Sequence, residues 1–153
     1  MSEELTIRRA AAEDLPALVA LLADDPLGSS RETPDDPAPY RAAFERITAD
    51  PQHYLAVAER AGRIVGTLQL TLVPGLSRRG ATRAIVEAVR VHADERGAGL
   101  GSALMTWAVE ESRRLGAELV QLTSDASRTD AHRFYERLGF VPSHIGFKLP
   151  LGG

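Results

Sequence analysis

The sequence predicts an α+β fold in which one domain spans residues 1–153, with a mixed, mostly antiparallel central sheet of six to seven strands flanked by about four helices. Three observations carry this expectation. Valine- and isoleucine-rich runs follow one another in mid-chain, separated only by short turn segments. Segments with apolar residues at helical spacing lie before and after them. At 153 residues and 44% apolar content, the chain can build one core and is too short for two sizeable ones.

The elements follow in order. Leu5-Thr6-Ile7-Arg8 alternates and reads as a first strand. Glu13 and Asp14 sit where acids favour a helix start, and Leu15, Leu18, Val19 and Leu22 continue at helical spacing. Residues 24–39 are acidic and proline-rich; Pro26, Pro34, Pro37 and Pro39 make them a loop. A second helix is expected from Tyr40 to Ala49, ended by Asp50-Pro51. Residues 54–58 and 64–70 are strand-like, and Ala61-Gly62 between them suggests a tight hairpin. Residues 74–81 form a loop, and Thr82 to Val91 is a fourth strand. Leu100, Leu104, Trp107 and Ala108 then mark a helix that stops at Gly116. Residues 119–123 give a fifth strand, and a short helix capped by Thr129 or Asp130 stops at Gly139. Val141 and residues 145–149 supply one or two final strands.

Bulk properties exclude several functions. A formal net charge of −3 with no lysine or arginine run disfavours nucleic-acid binding through a basic face. The chain has no cysteine, so thiolate nucleophiles, disulfides and cysteine metal sites are absent. The four histidines, at 53, 92, 132 and 144, have no metal spacing, and no metal is expected. The charged start MSEELTIRRA is unlike a signal peptide, and no stretch is apolar enough to span a membrane. A cytoplasmic location is expected.

The chemistry concentrates after the fourth strand. Val89-Arg90-Val91 leads into Arg96-Gly97-Ala98-Gly99-Leu100-Gly101 and then a helix. Three glycines in five residues let backbone approach a ligand closely, and the helix start aims unpaired N–H groups and a positive dipole end at the same place. The combination suits a diphosphate; its plainer reading is a tight turn that packs a helix on a strand. The loop lacks the G-K-S/T ending of a nucleotide P-loop and the G-x-G-x-x-G spacing of a dinucleotide fold.

Arg96, Gly99 and Gly101 match R-x-x-G-x-G, and Ala131 to Phe140 matches A-x-x-F/L-Y-E-x-x-G-F, in order and at a typical separation. On these two motifs the chain resembles the GNAT superfamily of acetyl-CoA-dependent N-acetyltransferases, over almost its whole length. The resemblance implies a GNAT-type fold, acetyl-CoA as acetyl donor, a primary amine as acceptor and direct attack in a ternary complex. It also implies that backbone amides of Arg96, Gly97, Ala98, Gly99, Leu100 and Gly101, with Ser102, cradle the pyrophosphate. The backbone of Val89, Arg90 and Val91 would pair with the pantetheine arm as an added strand would. Tyr135 matches the tyrosine that protonates the leaving thiolate; the reference pKa values of phenol and thiol differ by only about 1.5. Its alternative is the buried face of a short helix, where Phe134 and Leu138 are expected to lie.

Glu87, a carboxylate inside the apolar run Ala84-Ile85-Val86-Glu87-Ala88-Val89, is a candidate base for the amine proton. A salt bridge to Arg83 or Arg90, or exposure at a strand edge, stands open beside that role. Where many family members have asparagine seven positions before the tyrosine, this chain has Arg128, either a phosphate contact or a solvated residue. Trp107 is expected in the core, and His92 and His132 as packing or surface residues. Asp24, Asp25, Asp35 and Asp36 lie in the loop where this superfamily builds its acceptor site; they either attract a cationic amine or form a solvated loop. A small-molecule acceptor is expected over a protein. Residues 145–149 offer an edge strand for a possible homodimer. The rival reading is a non-catalytic acyl-CoA-binding or regulatory module.

Overall fold

The computed structural model describes residues 4–152, in two compact units divided after Gln121. The first unit carries the sheet. Its strands are β1 (Thr6–Arg9), β2 (His53–Arg60), β3 (Arg63–Pro74), β4 (Thr82–Val91) and β5 (Leu119–Gln121), in spatial order β1-β2-β3-β4-β5. Only the β4–β5 pair is parallel. The β2–β3 hairpin turns through Ala61 and Gly62 at φ 54° and 74°, two left-handed residues whose twist matches that of the strands.

The helices of this unit are α1 (Leu15–Ala23), α2 (Ala38–Ala49), the single turn α3 (Ser77–Gly80) and α4 (Leu100–Arg114). α2 starts before the expected Tyr40 because Pro37 is its cap and Pro39 lies in its first turn, where a missing N–H costs nothing. In α3, Arg78 and Arg79 have φ of 55° and 61°, so the turn is left-handed at both residues.

α4 buries Leu100, Leu104, Met105, Ala108 and Ser112 along one stripe. The Ser112 hydroxyl donates to the Ala108 carbonyl at 2.6 Å, which satisfies it in the interior. With Val57, Leu68, Leu70 and Val86 of the sheet these residues form the core, each large side chain contributing roughly 1.5–3 kcal/mol on burial. Trp107 is half-buried and packs edge-on against Tyr54 of β2, with ring centroids 5.0 Å apart; it borders the core and is not inside it.

Asp14 holds the N-cap position of α1, but its side chain makes no capping bond there. It lies in a preceding 3₁₀ turn and accepts from Arg8 at 2.8 and 3.2 Å and from the Ala11 N–H at 2.7 Å. These bonds, Arg8 first, hold its carboxyl below the usual carboxylate range, and they raise the Arg8 guanidinium further. Arg8 also donates to Glu59 at 3.2 Å, tying β1 to β2.

The second unit contains α5 (Thr129–Arg137). Arg128 is its N-cap, so Thr129 and Asp130 are its first two residues and neither caps it. The helix ends in a Schellman arrangement: Phe140 N–H bonds to the Tyr135 carbonyl at 3.1 Å and Gly139 N–H to that of Glu136 at 3.0 Å. Phe134 is half-buried and Leu138 is 36% exposed, so neither is the buried residue expected.

The sheet has five strands, not six to seven. Residues 138–152 form no strand, although Ile145, Phe147, Leu149 and Leu151 alternate with other residues and all stand exposed. A strand is defined by its partner, and this segment has none among the described residues.

Candidate active site

The two halves of β4 differ in pairing. Arg83, Ala84 and Ile85 pair with β5 on one side and β3 on the other. β5 ends at Gln121, so from Val86 to Val91 the strand keeps only its β3 partner. The register with β3 steps from Thr67↔Arg90 to Gln69↔Glu87, leaving Ala88 and Val89 opposite Leu68. This is a β-bulge, and Ala88 sits in it at φ 53°. A left-handed alanine stores strain of order 1–3 kcal/mol, the kind of outlier that gathers at functional sites.

Glu87 precedes the bulge and is exposed. Arg83 reaches Gln121 at 3.4 Å, and Arg90 pairs with Asp25 at 3.0 Å and donates to the Val89 carbonyl at 2.9 Å. Both arginines proposed as salt-bridge partners are thus engaged elsewhere, and Glu87 has no ion pair among the described residues. Directly opposite residues share a sheet face. The pairs Leu55↔Gln69 and Gln69↔Glu87 therefore put the Glu87 carboxylate on the face that α1 and α2 cover.

On that face lies a cavity of about 200 Å³. Leu15, Leu18 and Leu22 of α1 and Tyr40, Phe44 and Ile47 of α2 form its walls; Leu55, Gln69 and Ala88 line it from the sheet. No lining residue is charged. Asp25, from the acidic loop, is not in this lining; it is the ion-pair partner of Arg90.

Beyond β4, the His92 ring accepts the Asp94 N–H at 3.1 Å and caps a 3₁₀ turn (Ala93–Glu95), and Glu95 pairs with Arg60 at 3.0 Å. The turn is thereby anchored before the glycine loop. Gly97 and Gly99 have φ of 84° and 81°, and a Cβ added to either would meet nothing within 4 Å. The first bond of α4 runs from Ala103 N–H to Gly99 O at 3.1 Å, so the N–H groups of Leu100, Gly101 and Ser102 precede the helical ladder. This cradle fits a diphosphate. The Arg96 side chain reaches back to the Asp24 carbonyl at 3.4 Å, away from that role, while its backbone remains in the loop.

In the second unit the half-buried Tyr135 ring makes edge contacts with Phe134 at 5.1 Å and Phe140 at 6.0 Å. The latter is the apolar contact that accompanies a Schellman end, so the tyrosine ring has a structural role of its own. Arg128 is exposed. His132 bonds the Asp125 carbonyl at 2.8 Å and fixes the turn before α5.

A mixed sheet whose β4 loses one neighbour and leads through a glycine loop into a helix start is the frame on which the site is built. The chain belongs to the acetyltransferase (GNAT) family, whose model matches residues 15–140. It is an N-acetyltransferase, with acetyl-CoA as acetyl donor and an amine as acceptor. It is 35% identical over 141 residues to an aminoalkylphosphonate N-acetyltransferase of Salmonella typhimurium, covering 92% of this chain and 88% of that one. A crystal structure of a protein described as a transcriptional regulator from Bacillus halodurans C-125 superposes with a TM-score of 0.94 at 45% identity, over 97% of this chain and 100% of the other. A putative acetyltransferase from Agrobacterium tumefaciens superposes with a TM-score of 0.82 at 30% identity, over 95% and 99%.

Sequence reasoning missed Ala88, Gln69 and the cavity. Alanine gives no hint of a left-handed residue. The helical spacing of Leu15, Leu18, Val19 and Leu22, and of Tyr40, Ala43, Phe44 and Ile47, was the available signal for the cavity walls.

Proposed function

We propose that the chain acts as a single acetyltransferase domain that acetylates the primary amine of a small molecule by direct attack in a ternary complex. Acetyl-CoA supplies the activated acetyl group as a thioester. Backbone amides from Arg96 to Gly101, with Ser102, hold its pyrophosphate, and the one-sided backbone of Val89, Arg90 and Val91 aligns the pantetheine arm. Arg128 contributes a phosphate contact. Glu87 accepts the amine proton, directly or through water. The amine nitrogen forms a bond to the carbonyl carbon, the C–S bond breaks with its electron pair leaving on sulfur, and Tyr135 returns a proton to that sulfur. Backbone N–H groups at the β4 bulge polarise the carbonyl as charge develops on its oxygen.

The observation that carries this reading is the half of β4 paired on one side only, where a Glu87 with no ion pair among the described residues, a strained Ala88 and the glycine cradle follow within one strand-loop-helix. The small-molecule substrate in the name of the Salmonella relative supports a small acceptor. The reading also includes a cytoplasmic protein and a homodimer in which the alternating residues 145–149 pair with a second copy; no helix among the described residues is long and apolar enough to cross a membrane. Light scattering at high micromolar concentration checks the dimer, and a monomer there would count against it.

Tyr135→Phe tests the chemistry. It keeps the ring contacts and removes the proton. Acetyl-CoA affinity and folding should hold while turnover falls roughly 10²–10⁴-fold, least at high pH where thiolate leaves unaided. Normal turnover in this variant would remove Tyr135 from the mechanism.

A further inference from the structure

α2 presents Tyr40, Ala43, Phe44 and Ile47 along one helical stripe, the pattern of a helix that buries its apolar face. None of its residues is buried. The stripe instead walls the 200 Å³ cavity, which it shares with Leu18 and Leu22 of α1 and reaches Ala88 at the bulge. A face patterned for burial yet only half covered beside the proposed site of attack is built for an occupant that supplies the missing apolar surface.

We propose that this cavity is the acceptor pocket and that its ligand is a primary amine with a compact apolar body, a phenyl ring or a branched chain of about five carbons. The assignment rests on the acetyltransfer reading above and names its acceptor class. Size comes first: an apolar cavity of about 150 Å³ accommodates benzene, so about 200 Å³ takes a ring with its methylene. Chemistry comes second. The lining holds no lysine, arginine, histidine or carboxylate. Two of its three polar side chains are engaged: the Tyr40 hydroxyl bonds Glu32 at 2.9 Å and the Thr33 N–H at 2.8 Å, and the Thr67 hydroxyl donates to the Ala56 carbonyl at 2.7 Å. A phosphonate or carboxylate placed here would lose its water and gain no cation. The Gln69 side chain alone of the three makes no hydrogen bond among the described residues, and Gln69 pairs across the strands with Glu87, so the polar corner of the pocket lies where the amine must be deprotonated. The body of the ligand fills the helix side, and its nitrogen meets the Glu87 side.

The test is a comparison of kcat/KM, read by CoA thiol release, for benzylamine and 3-methylbutylamine against 2-aminoethylphosphonate and putrescine. The apolar amines should lead by at least roughly ten-fold, the size of effect that a methylene or two has in an apolar pocket. Phe44→Arg should erase that lead while the KM for acetyl-CoA stays unchanged. If that variant does not fold, Ala43→Leu, which narrows the pocket, should lower kcat/KM for benzylamine more than for 3-methylbutylamine. A wild-type preference for the phosphonate or for putrescine, with CoA released, would overturn the apolar pocket alone. No release with any amine would overturn the acetyltransfer reading and this assignment with it.

Discussion

The first half of β4 and the second half belong to one strand and obey different rules. From Thr82 to Val86 the strand is flanked by β3 and, over Arg83–Ile85, by β5; Ala84 and Val86 are buried, and the backbone is regular. From Glu87 to Val91 it has one neighbour, a bulge, a left-handed alanine and a carboxylate without an ion pair. The first half is explained by burial alone. The second contains features that burial cannot explain and that a binding edge requires: unpaired backbone, stored strain and an accessible charge.

The largest expected effect comes from the second half. Glu87→Gln should lower turnover with a suitable amine by roughly 10²–10⁴-fold at neutral pH and leave the unfolding midpoint unchanged. If the midpoint falls and turnover holds, Glu87 is structural and the contrast between the halves collapses.

A second carboxylate sharpens the comparison. Asp14 has a structural setting, with three hydrogen bonds and little exposure. Asp14→Asn should cost about 2–3 kcal/mol of unfolding free energy at pH 7, because it weakens charge-assisted bonds to Arg8. The Arg8 contact lowers the Asp14 pKa, so its contribution is complete above the ordinary carboxylate value and is lost as pH falls through the lowered one. The stability gap between wild type and variant should therefore close below about pH 4. A gap that widens in acid would contradict the assigned sign.

Next in size is the first half of β4. Val86→Ala removes two methyl groups from a site 2% exposed and should cost about 2 kcal/mol by denaturant unfolding, with the KM for acetyl-CoA unaltered. The smallest effect belongs to the bulge. Ala88→Gly relieves the left-handed strain and adds unfolded-state entropy, two terms of similar size, so stability should move by less than about 1 kcal/mol. Ala88→Val, which cannot relax in that conformation, should be the more destabilised of the two.

The same contrast governs what the sequence made legible. The hairpin at Ala61-Gly62, the limits of β4 and the start of α4 followed from local signals, since turn residues, β-branched runs and helical spacing act over a few residues. The glycine cradle and the tyrosine helix were found as motifs. The bulge was not, because register is decided by which residues of β3 and β4 meet, and alanine at 88 is silent about φ. The Arg90–Asp25 pair joins residues far apart in sequence, beyond any local pattern. Residues 145–151 carry a strand-like alternation, yet alternation specifies a face and not a partner.

The single parallel junction has a kinetic meaning. The β2–β3 and β3–β4 pairs close through short connections, whereas β5 reaches β4 only after residues 92–118 have been crossed. Loop-closure entropy makes such a crossover a late event in folding. On this basis the two short hairpins form first, and the pairings of β1 with β2 across residues 10–52 and of β5 with β4 across residues 92–118 follow. In native-state hydrogen exchange the amides of β5 should open at lower free energy than those of β2 and β3. A donor molecule held along that edge acts on a late step of assembly, so saturation with it should slow unfolding more than it speeds refolding.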